Sequence, residues 1–292
     1  MRPVRFEDQG DWWLAYSAPH PALRPFLTAY NGYWEKGMVP SRMRTLPGRH
    51  AVMIVNLGSP LDLEVPGAPV ERYSSFVAGM HDGHGSYHSP GGQRGVQLDL
   101  TPLGAYTLLG IPMGHLTNIA AALPDLLGRA AGELAARLDA APGWPARFGL
   151  LDRFLLDRLE IGPSPSPEVT RAWQVLLATQ GRAAVGDLAG DVGWSRRHLA
   201  QRFKEQVGLA PKVMARVLRF ERAVELMAAG PPDLAGIAIG CGYFDQAHLN
   251  REVRALAGCT PTELLATLQP QSAESPPREY AGAGGGREGD PG

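Results

Sequence analysis

The sequence predicts an α+β fold, rich in strands in its first half and built from helices alone in its last third. Short apolar runs such as Ala51 to Leu57 and Ser75 to Met80 alternate with glycine- and proline-rich turns, which is typical of strands. One pattern also occurs twice, from Asp187 to Pro211 and from Ala235 to Pro261, and both copies have helical spacing. The chain therefore divides into a mixed first part and a repeated helical second part.

Periodicity distinguishes strands from helices in the first part. Gly95 to Leu100 alternates apolar residues with Gln97 and Asp99, which predicts a half-buried strand. From Leu123 to Ala141 and from Trp144 to Leu159, leucine, alanine and arginine recur at helical spacing instead. We therefore expect one helix over each of these two ranges.

A proline-rich connector separates the two parts. Three prolines within five residues follow Ile161, and they favour an extended segment over a continuous helix. We expect a sensor or regulatory domain at 1–160, a linker at 161–167, an all-helical domain at 168–268 and a disordered tail at 269–292. The tail has almost no apolar side chains to bury.

Composition limits the class of protein without identifying it. The 292 residues carry a net charge of -1, and the chain has no apolar run long enough to cross a bilayer and no signal peptide at its start. Its two cysteines, Cys241 and Cys259, are expected to be reduced and to act as small buried apolar residues. These features favour a cytoplasmic protein.

Positive charge is concentrated between Ser195 and Arg222. Eight basic residues stand there against Glu205 and Glu221, which gives this stretch a net charge of +6. The basic residues are Arg196, Arg197, Arg202, Lys204, Lys212, Arg216, Arg219 and Arg222. Charge alone is equally consistent with a solvated helix face, so its meaning depends on the repeat.

Each copy of the repeat has the pattern of a helix-turn-helix unit. A small Ala189 permits close crossing of a second helix, Gly193 permits a tight turn, and Ser195 is suited to cap the helix that follows. The second copy has an alanine, a glycine and the capping residue Asp245 at matching positions, with one extra residue in its turn. Leu199, Phe203 and Val207 in the first copy, and Leu249, Val253 and Leu256 in the second, are expected to face inward.

Polar residues occupy the outward positions of both second helices. Arginine and glutamine can make bidentate hydrogen bonds to purine edges in the major groove, and lysine can contact phosphates. Between the copies, Lys212 to Ala229 forms one long amphipathic helix of about 27 Å, near the roughly 34 Å that separates successive major-groove openings. The repeat therefore predicts a protein that reads two adjacent major-groove segments.

From Glu168 to Leu268 the chain resembles the AraC/XylS family of transcription regulators, through the paired units, LRFERAVELM and GYFDQAHLNREVRALAGCTPTEL. The resemblance implies a seven-helix DNA-binding domain and usually dimeric promoter recognition. We therefore expect a nucleoid-associated protein that is not an enzyme, with RNA polymerase as one candidate partner. Carried over by position, the candidate DNA-binding residues are Arg196, Arg197, Gln201, Lys204, Gln246, His248 and Arg251. The chain departs from the family where Val253 replaces a usual aromatic residue, and where Ala200 and Ala247 replace frequent polar residues.

The first part resembles the poorly characterised sensor domain that precedes such units in some regulators, through LPGRHAVMIVNLG, FVAGMHDG and GVQLDLTPLGAYTLLG. This resemblance implies control by a signal, for which a small-molecule effector is one candidate, and it assigns neither a ligand nor a cofactor. The partners expected are double-stranded promoter DNA, such an effector and a second copy of the chain.

Two other classes of protein remain open. His81, His84 and His88 could join His50 or His115 around a metal ion, which would indicate a cupin-like first domain and a metal-dependent cupin-type enzyme with a vestigial helical tail. The simpler interpretation places these histidines in turns or on the surface, with no metal. A sensor that acts through protein contacts alone is the third class, and it predicts no salt-dependent binding to DNA.

Overall fold

The first part of the chain folds into two antiparallel sheets. A computed structural model describes residues 4–9, 12–37, 40–229 and 233–268. The strands are β1 (Arg5–Gln9), β2 (Trp12–Ser17), β3 (Leu27–Glu35), β4 (Ser41–Thr45), β5 (Ala51–Asn56), β6 (Leu61–Glu64), β7 (Glu71–Tyr73), β8 (Phe76–Ala78), β9 (Gly85–Ser89), β10 (Arg94–Leu100) and β11 (Ala120–Ala122). The larger sheet has the order β1-β2-β3-β10-β5-β8-β11, and the smaller has the order β4-β9-β6-β7.

Strand β10 lies at the centre of the larger sheet, between β3 and β5. Its apolar residues Val96, Leu98 and Leu100 are fully buried, which confirms the predicted alternation. The opposite face is less exposed than expected, because Asp99 is only 9% exposed and accepts hydrogen bonds from Asn31 and Gln97. The polar face of β10 is therefore covered and hydrogen-bonded.

Within the described residues, four α-helices complete the first part of the chain. They are α1 (Pro102–Leu109), α2 (Leu123–Leu127), α3 (Arg129–Asp139) and α4 (Trp144–Ile161). The single helix predicted from Leu123 to Ala141 is wrong, because Gly128 has a φ of 60° and divides it into α2 and α3. A right-handed helix cannot continue through a residue with positive φ.

Helix α4 packs against the larger sheet through aromatic side chains. The rings of Trp144 and Trp34 stack with their centroids 5.6 Å apart, and those of Phe148 and Tyr30 stack at the same distance. A Cβ atom at Gly32 would lie 2.1 Å from the Trp144 ring, so only glycine fits at that point of β3. These aromatic rings thus fix α4 on the sheet.

The second part of the chain is helical throughout the described residues. Its helices are α5 (Pro167–Ala178), α6 (Val185–Asp191), α7 (Arg196–Val207), α8 (Pro211–Ala228), α9 (Leu234–Gly240), α10 (Gln246–Ala257) and α11 (Pro261–Leu268). Within the described ranges, every helix is too short or too polar to cross a membrane. The tail predicted at 269–292 lies outside the described residues.

The hydrophobic core continues from the sheets into the first helices of the second part. One buried cluster joins residues of β3, β5 and β10 to α4, α5, α6 and α7, while most of the second repeat has its own buried cluster. The connector is fixed at one end, since the buried Gln206 side chain accepts a hydrogen bond from the Ser166 backbone N–H at 2.9 Å. The first repeat therefore packs as a continuation of the N-terminal core.

Candidate nucleic-acid interface

The first repeat forms helix α6, a tight turn and helix α7. Ala189 on α6 is 3% exposed, and α6 packs against α7. Gly193 has a φ of 70°, a conformation that glycine adopts without strain, and it ends α6. Ser195 then caps α7, because its hydroxyl accepts a hydrogen bond from the His198 backbone N–H at 3.2 Å.

The second repeat forms the same arrangement from α9 and α10. Ala238 is fully buried and Gly242 has a φ of 78°. The Asp245 carboxylate caps α10 by accepting a hydrogen bond from the His248 backbone N–H at 2.6 Å. Both predicted turns and both predicted caps are thus confirmed.

Apolar side chains fix α7 and α10 against the rest of the molecule. Every inward residue predicted for them, namely Leu199, Phe203, Val207, Leu249, Val253 and Leu256, is fully buried. Val253 lies in the cluster that also contains Phe220 of α8. The opposite faces of α7 and α10 are therefore the ones left to meet a partner.

Most of the predicted DNA-binding residues lie on those outer faces. Exposed side chains are found at Arg196, Arg197, Gln201, Lys204, Gln246 and Arg251, and that of His248 is partly buried. Arg197 and Arg251 have no hydrogen bond or ion pair to any part of the chain that the structure describes. Their guanidinium groups are therefore available to phosphates or base edges.

Two of the predicted residues also contact the protein itself. The Arg196 guanidinium lies across Gly186 of α6, where a Cβ atom would be 2.6 Å from its nitrogen. The His248 Nδ1 accepts a hydrogen bond from the Phe244 backbone N–H at 3.3 Å, and its ring lies edge-on to Tyr243. Arg196 therefore packs against α6, and the Nδ1 of His248 is engaged by the turn that precedes α10.

Half of the eight basic residues between Ser195 and Arg222 are engaged within the protein. Arg202 pairs with Glu205, and Arg222 pairs with Glu225. Arg216 on α8 pairs with Glu252 on α10 at 2.5 Å, and Arg219 donates to the Gly181 carbonyl at 3.0 Å. The positive charge available to a partner is therefore smaller than the sequence total, and it lies mainly on α7 and the start of α8.

Helix α8 connects the two repeats. Its 18 residues give a length of about 27 Å, as the sequence predicts. The Arg216–Glu252 ion pair joins α8 directly to α10, and burial of Val217, Phe220 and Met227 confirms most of the predicted apolar stripe. Helix α8 therefore contacts both α7 and α10.

The end of α7 is in contact with the N-terminal part. The Thr117 hydroxyl donates a hydrogen bond to the Gly208 carbonyl, just beyond α7. A Cβ atom at Gly208 would lie 3.1 Å from the Met80 side chain, and one at Gly114 would lie 3.3 Å from the Lys204 carbonyl. This part of the N-terminal region therefore contacts the end of α7 directly.

A second set of contacts reaches α8 and α10. Arg49 donates hydrogen bonds to Glu221 at 2.9 Å and to Glu225 at 2.5 Å, both on α8. Burial raises the pKa of the Glu221 carboxyl, and the ion pair with Arg49 opposes this shift. The His84 imidazole lies against Gly258, at the C-terminal end of α10. Sequence patterns do not predict these contacts, because they join residues far apart in the chain.

A cavity of about 770 Å³ lies where the smaller sheet approaches α10. Its lining includes Arg42 and Arg44 of β4, Glu64 of β6, His84 and, from α10, Ala255. Arg42 donates to Glu64 at 3.3 Å, which partly neutralises its charge. Residues of the N-terminal part and of the second repeat therefore both line this cavity.

The histidines considered as metal ligands are dispersed. His84 contacts Gly258, and His88 lies 3.9 Å from Asp62. Burial lowers the pKa of His81 and of His50 to about 4, so both rings are neutral at ordinary pH. Across residues 4–9, 12–37, 40–229 and 233–268, no three His, Cys, Asp or Glu side chains form a group able to hold a metal ion.

Two described family models each match one stretch of the chain. Residues 188–267 match a family described as a helix-turn-helix domain, and residues 16–121 match a domain of unknown function (DUF6597). The chain is 30% identical over 88 residues to an uncharacterized HTH-type transcriptional regulator, YbfI, from Bacillus subtilis (strain 168). That match covers 30% of this chain and spans about a third, 32%, of the relative.

Solved structures add two similar proteins. An AraC-type transcriptional regulator from Chromobacterium violaceum is 30% identical, and the match covers 36% of this chain and 95% of that one with a TM-score of 0.33. ToxT from Vibrio cholerae is 13% identical, and the match covers 79% of this chain and 98% of that one with a TM-score of 0.46. The helical second part thus matches a helix-turn-helix model, and the chain is similar in sequence to an HTH-type transcriptional regulator.

Proposed function

We propose that α7 and α10 read two successive major-groove segments of a promoter. The C-terminal part of this chain belongs to the AraC-type helix-turn-helix transcription regulators, which bind DNA. The observation that carries the proposal is the duplicated helix pair, capped in the same way in both copies, with exposed arginines on both outer faces. Helix α8 spans about 27 Å between them, close to the spacing of major-groove openings on one side of B-DNA.

In this proposal Arg197 and Arg251 contact base edges, one from each repeat. Gln201 and Gln246 have the amide that suits adenine, and Lys204 has the ammonium group that suits a phosphate. Arg196 and His248 contribute partly by holding α7 and the turn before α10 in place. The domain limits follow the same division, with 168–268 as the DNA-binding part and 1–160 as the regulatory part.

Replacing Arg197 or Arg251 by alanine tests the assignment. Each variant is expected to weaken specific operator binding by about 1 to 3 kcal/mol in a gel-shift titration, because one base contact is lost. Both side chains are exposed, so the melting temperature is expected to stay unchanged. Arg129→Ala, an exposed arginine at the start of α3, is the matched control and is expected to bind like the wild type. Unchanged affinity in both repeat variants would refute these contacts.

We further propose that the N-terminal part controls α7 and α10 through its direct contacts with these two helices and with α8. Thr117 contacts the end of α7, Arg49 contacts α8, and His84 contacts the end of α10. A small molecule in the cavity beside Ala255 would touch both parts at once, and Arg42 and Arg44 suit an anionic group there. A dimer on the promoter and contact with RNA polymerase are also proposed, on the family resemblance alone.

A further inference from the structure

The turn of the second repeat contains one residue that the first repeat lacks. In the first repeat Trp194 directly precedes the capping residue Ser195, whereas in the second Phe244 stands between Tyr243 and the capping residue Asp245. Both turns nevertheless close alike, because Trp194 lies edge-on to His198 and Tyr243 lies edge-on to His248. The extra residue is therefore not needed to build a helix-turn-helix turn.

Phe244 is 86% exposed, more than any other large apolar side chain in the described part of the protein. The next most exposed is Ile161 at 73%, at the end of α4. A phenylalanine this exposed adds little to the stability of the folded chain, since apolar side chains stabilise a protein by leaving water. A role for this side chain must therefore be sought in contacts outside the folded chain.

The backbone of Phe244 is held firmly at the N-terminal end of α10. Its N–H donates to the His248 Nδ1 at 3.3 Å, and the next residue, Asp245, caps the helix. The N-terminal residues of a reading helix are those that meet base edges in the major groove. Beyond the Asp245 carboxylate, Arg251 and Arg254 are both exposed further along α10, and such cations suit DNA better than an apolar protein partner.

We propose that Phe244 determines specificity by contacting the C5-methyl group of a thymine in the segment that α10 reads. This inference rests on the proposed function, because it requires α10 to lie in the major groove. Thymine alone presents a methyl group there, and phenylalanine is among the side chains that recognise it. The second repeat would then combine polar readout by Gln246 and Arg251 with one apolar contact that the first repeat lacks.

Replacing single thymines by deoxyuridine in the bound operator tests this contact, because the change removes only the methyl group. The wild type is expected to lose about fourfold in affinity at one position within the α10 segment, the effect of returning one methyl-sized group to water. Phe244→Ala is expected to bind the unmodified operator about fourfold or more weakly and to show no further loss at that position. Ile161→Ala, at another exposed apolar residue, should respond like the wild type.

Equal deoxyuridine losses in Phe244→Ala and the wild type would overturn the contact. If Phe244→Ala binds every duplex as tightly as the wild type but reduces transcription from the promoter, the contact is also overturned. That result would indicate a protein partner instead. A melting temperature equal to that of the wild type shows that Phe244→Ala is folded. Failure of the proposed function is seen separately, as wild-type affinity in Arg197→Ala and Arg251→Ala.

Discussion

At the scale of single residues, His81 links the stability of the fold to pH. Burial lowers its pKa from 6.5 to about 4, against the opposing influence of Asp82 and Asn118. The unfolded chain therefore binds a proton between these two values that the folded chain does not bind. The contribution of His81 to the stability of the fold is fully present above pH 6.5, and it is lost as the pH is lowered toward 4.

We expect the free energy of unfolding to fall by up to about 1.4 kcal/mol per pH unit for this one group over that interval. Urea unfolding at several pH values measures the slope, and His81→Gln should make it shallower by that amount. His50, whose pKa burial also lowers to about 4, adds a slope of its own that the variant retains. The exposed His115→Gln is the control. An identical slope in His81→Gln and wild type would contradict the role of His81.

Local signals at this scale were predicted well, and contacts between distant residues were not. The caps Ser195 and Asp245 follow from residue type and position, because a cap interacts with backbone three residues away. The packing of Arg196 on Gly186 depends on how two helices cross, which periodicity does not contain.

At the scale of elements, the attachment of α8 to the N-terminal part depends on Arg49. Its guanidinium is shared by Glu221 and Glu225, and the Glu221 side chain is only 14% exposed. Arg49→Ala would leave this buried carboxylate without its partner. We expect the free energy of unfolding to fall by about 1.5 to 3 kcal/mol, the value of a hydrogen bond to a charged group.

The matched control for Arg49 is Arg72→Ala. Arg72 pairs with Asp62 at 2.7 Å, but it is 69% exposed, so its loss is expected to cost less than about 1 kcal/mol. Urea unfolding at neutral pH compares the two variants. A cost for Arg49→Ala no larger than that for Arg72→Ala would show that this contact does not fix α8.

The same scale shows why elements were easier to predict than their arrangement. Strand β10 and helix α4 follow from periodicity, whereas the break at Gly128 requires knowledge of its φ. The order β3-β10-β5 pairs residues separated by tens of positions, and alternation within one strand does not specify its neighbours.

At the scale of the whole molecule, the two repeats are attached differently. The first shares its core with the sheets, and the second has a separate core joined through α8, Arg49 and the contact of His84 with Gly258. The sequence predicted the repeat because its two copies can be compared directly. It did not predict this asymmetry, because a shared core depends on contacts between residues far apart in the chain.

Missing-nucleoside interference on the operator tests directly whether α7 and α10 read two successive major-groove segments. The wild type, Arg197→Ala and Arg251→Ala are compared in parallel. We expect two sensitive segments for each bound copy of the chain, with centres about 10 base pairs apart, one helical turn of the duplex. Arg197→Ala should remove sensitivity in one segment alone and Arg251→Ala in the other alone. A single sensitive segment, or loss of the same segment in both variants, would contradict reading of the promoter by two successive helices.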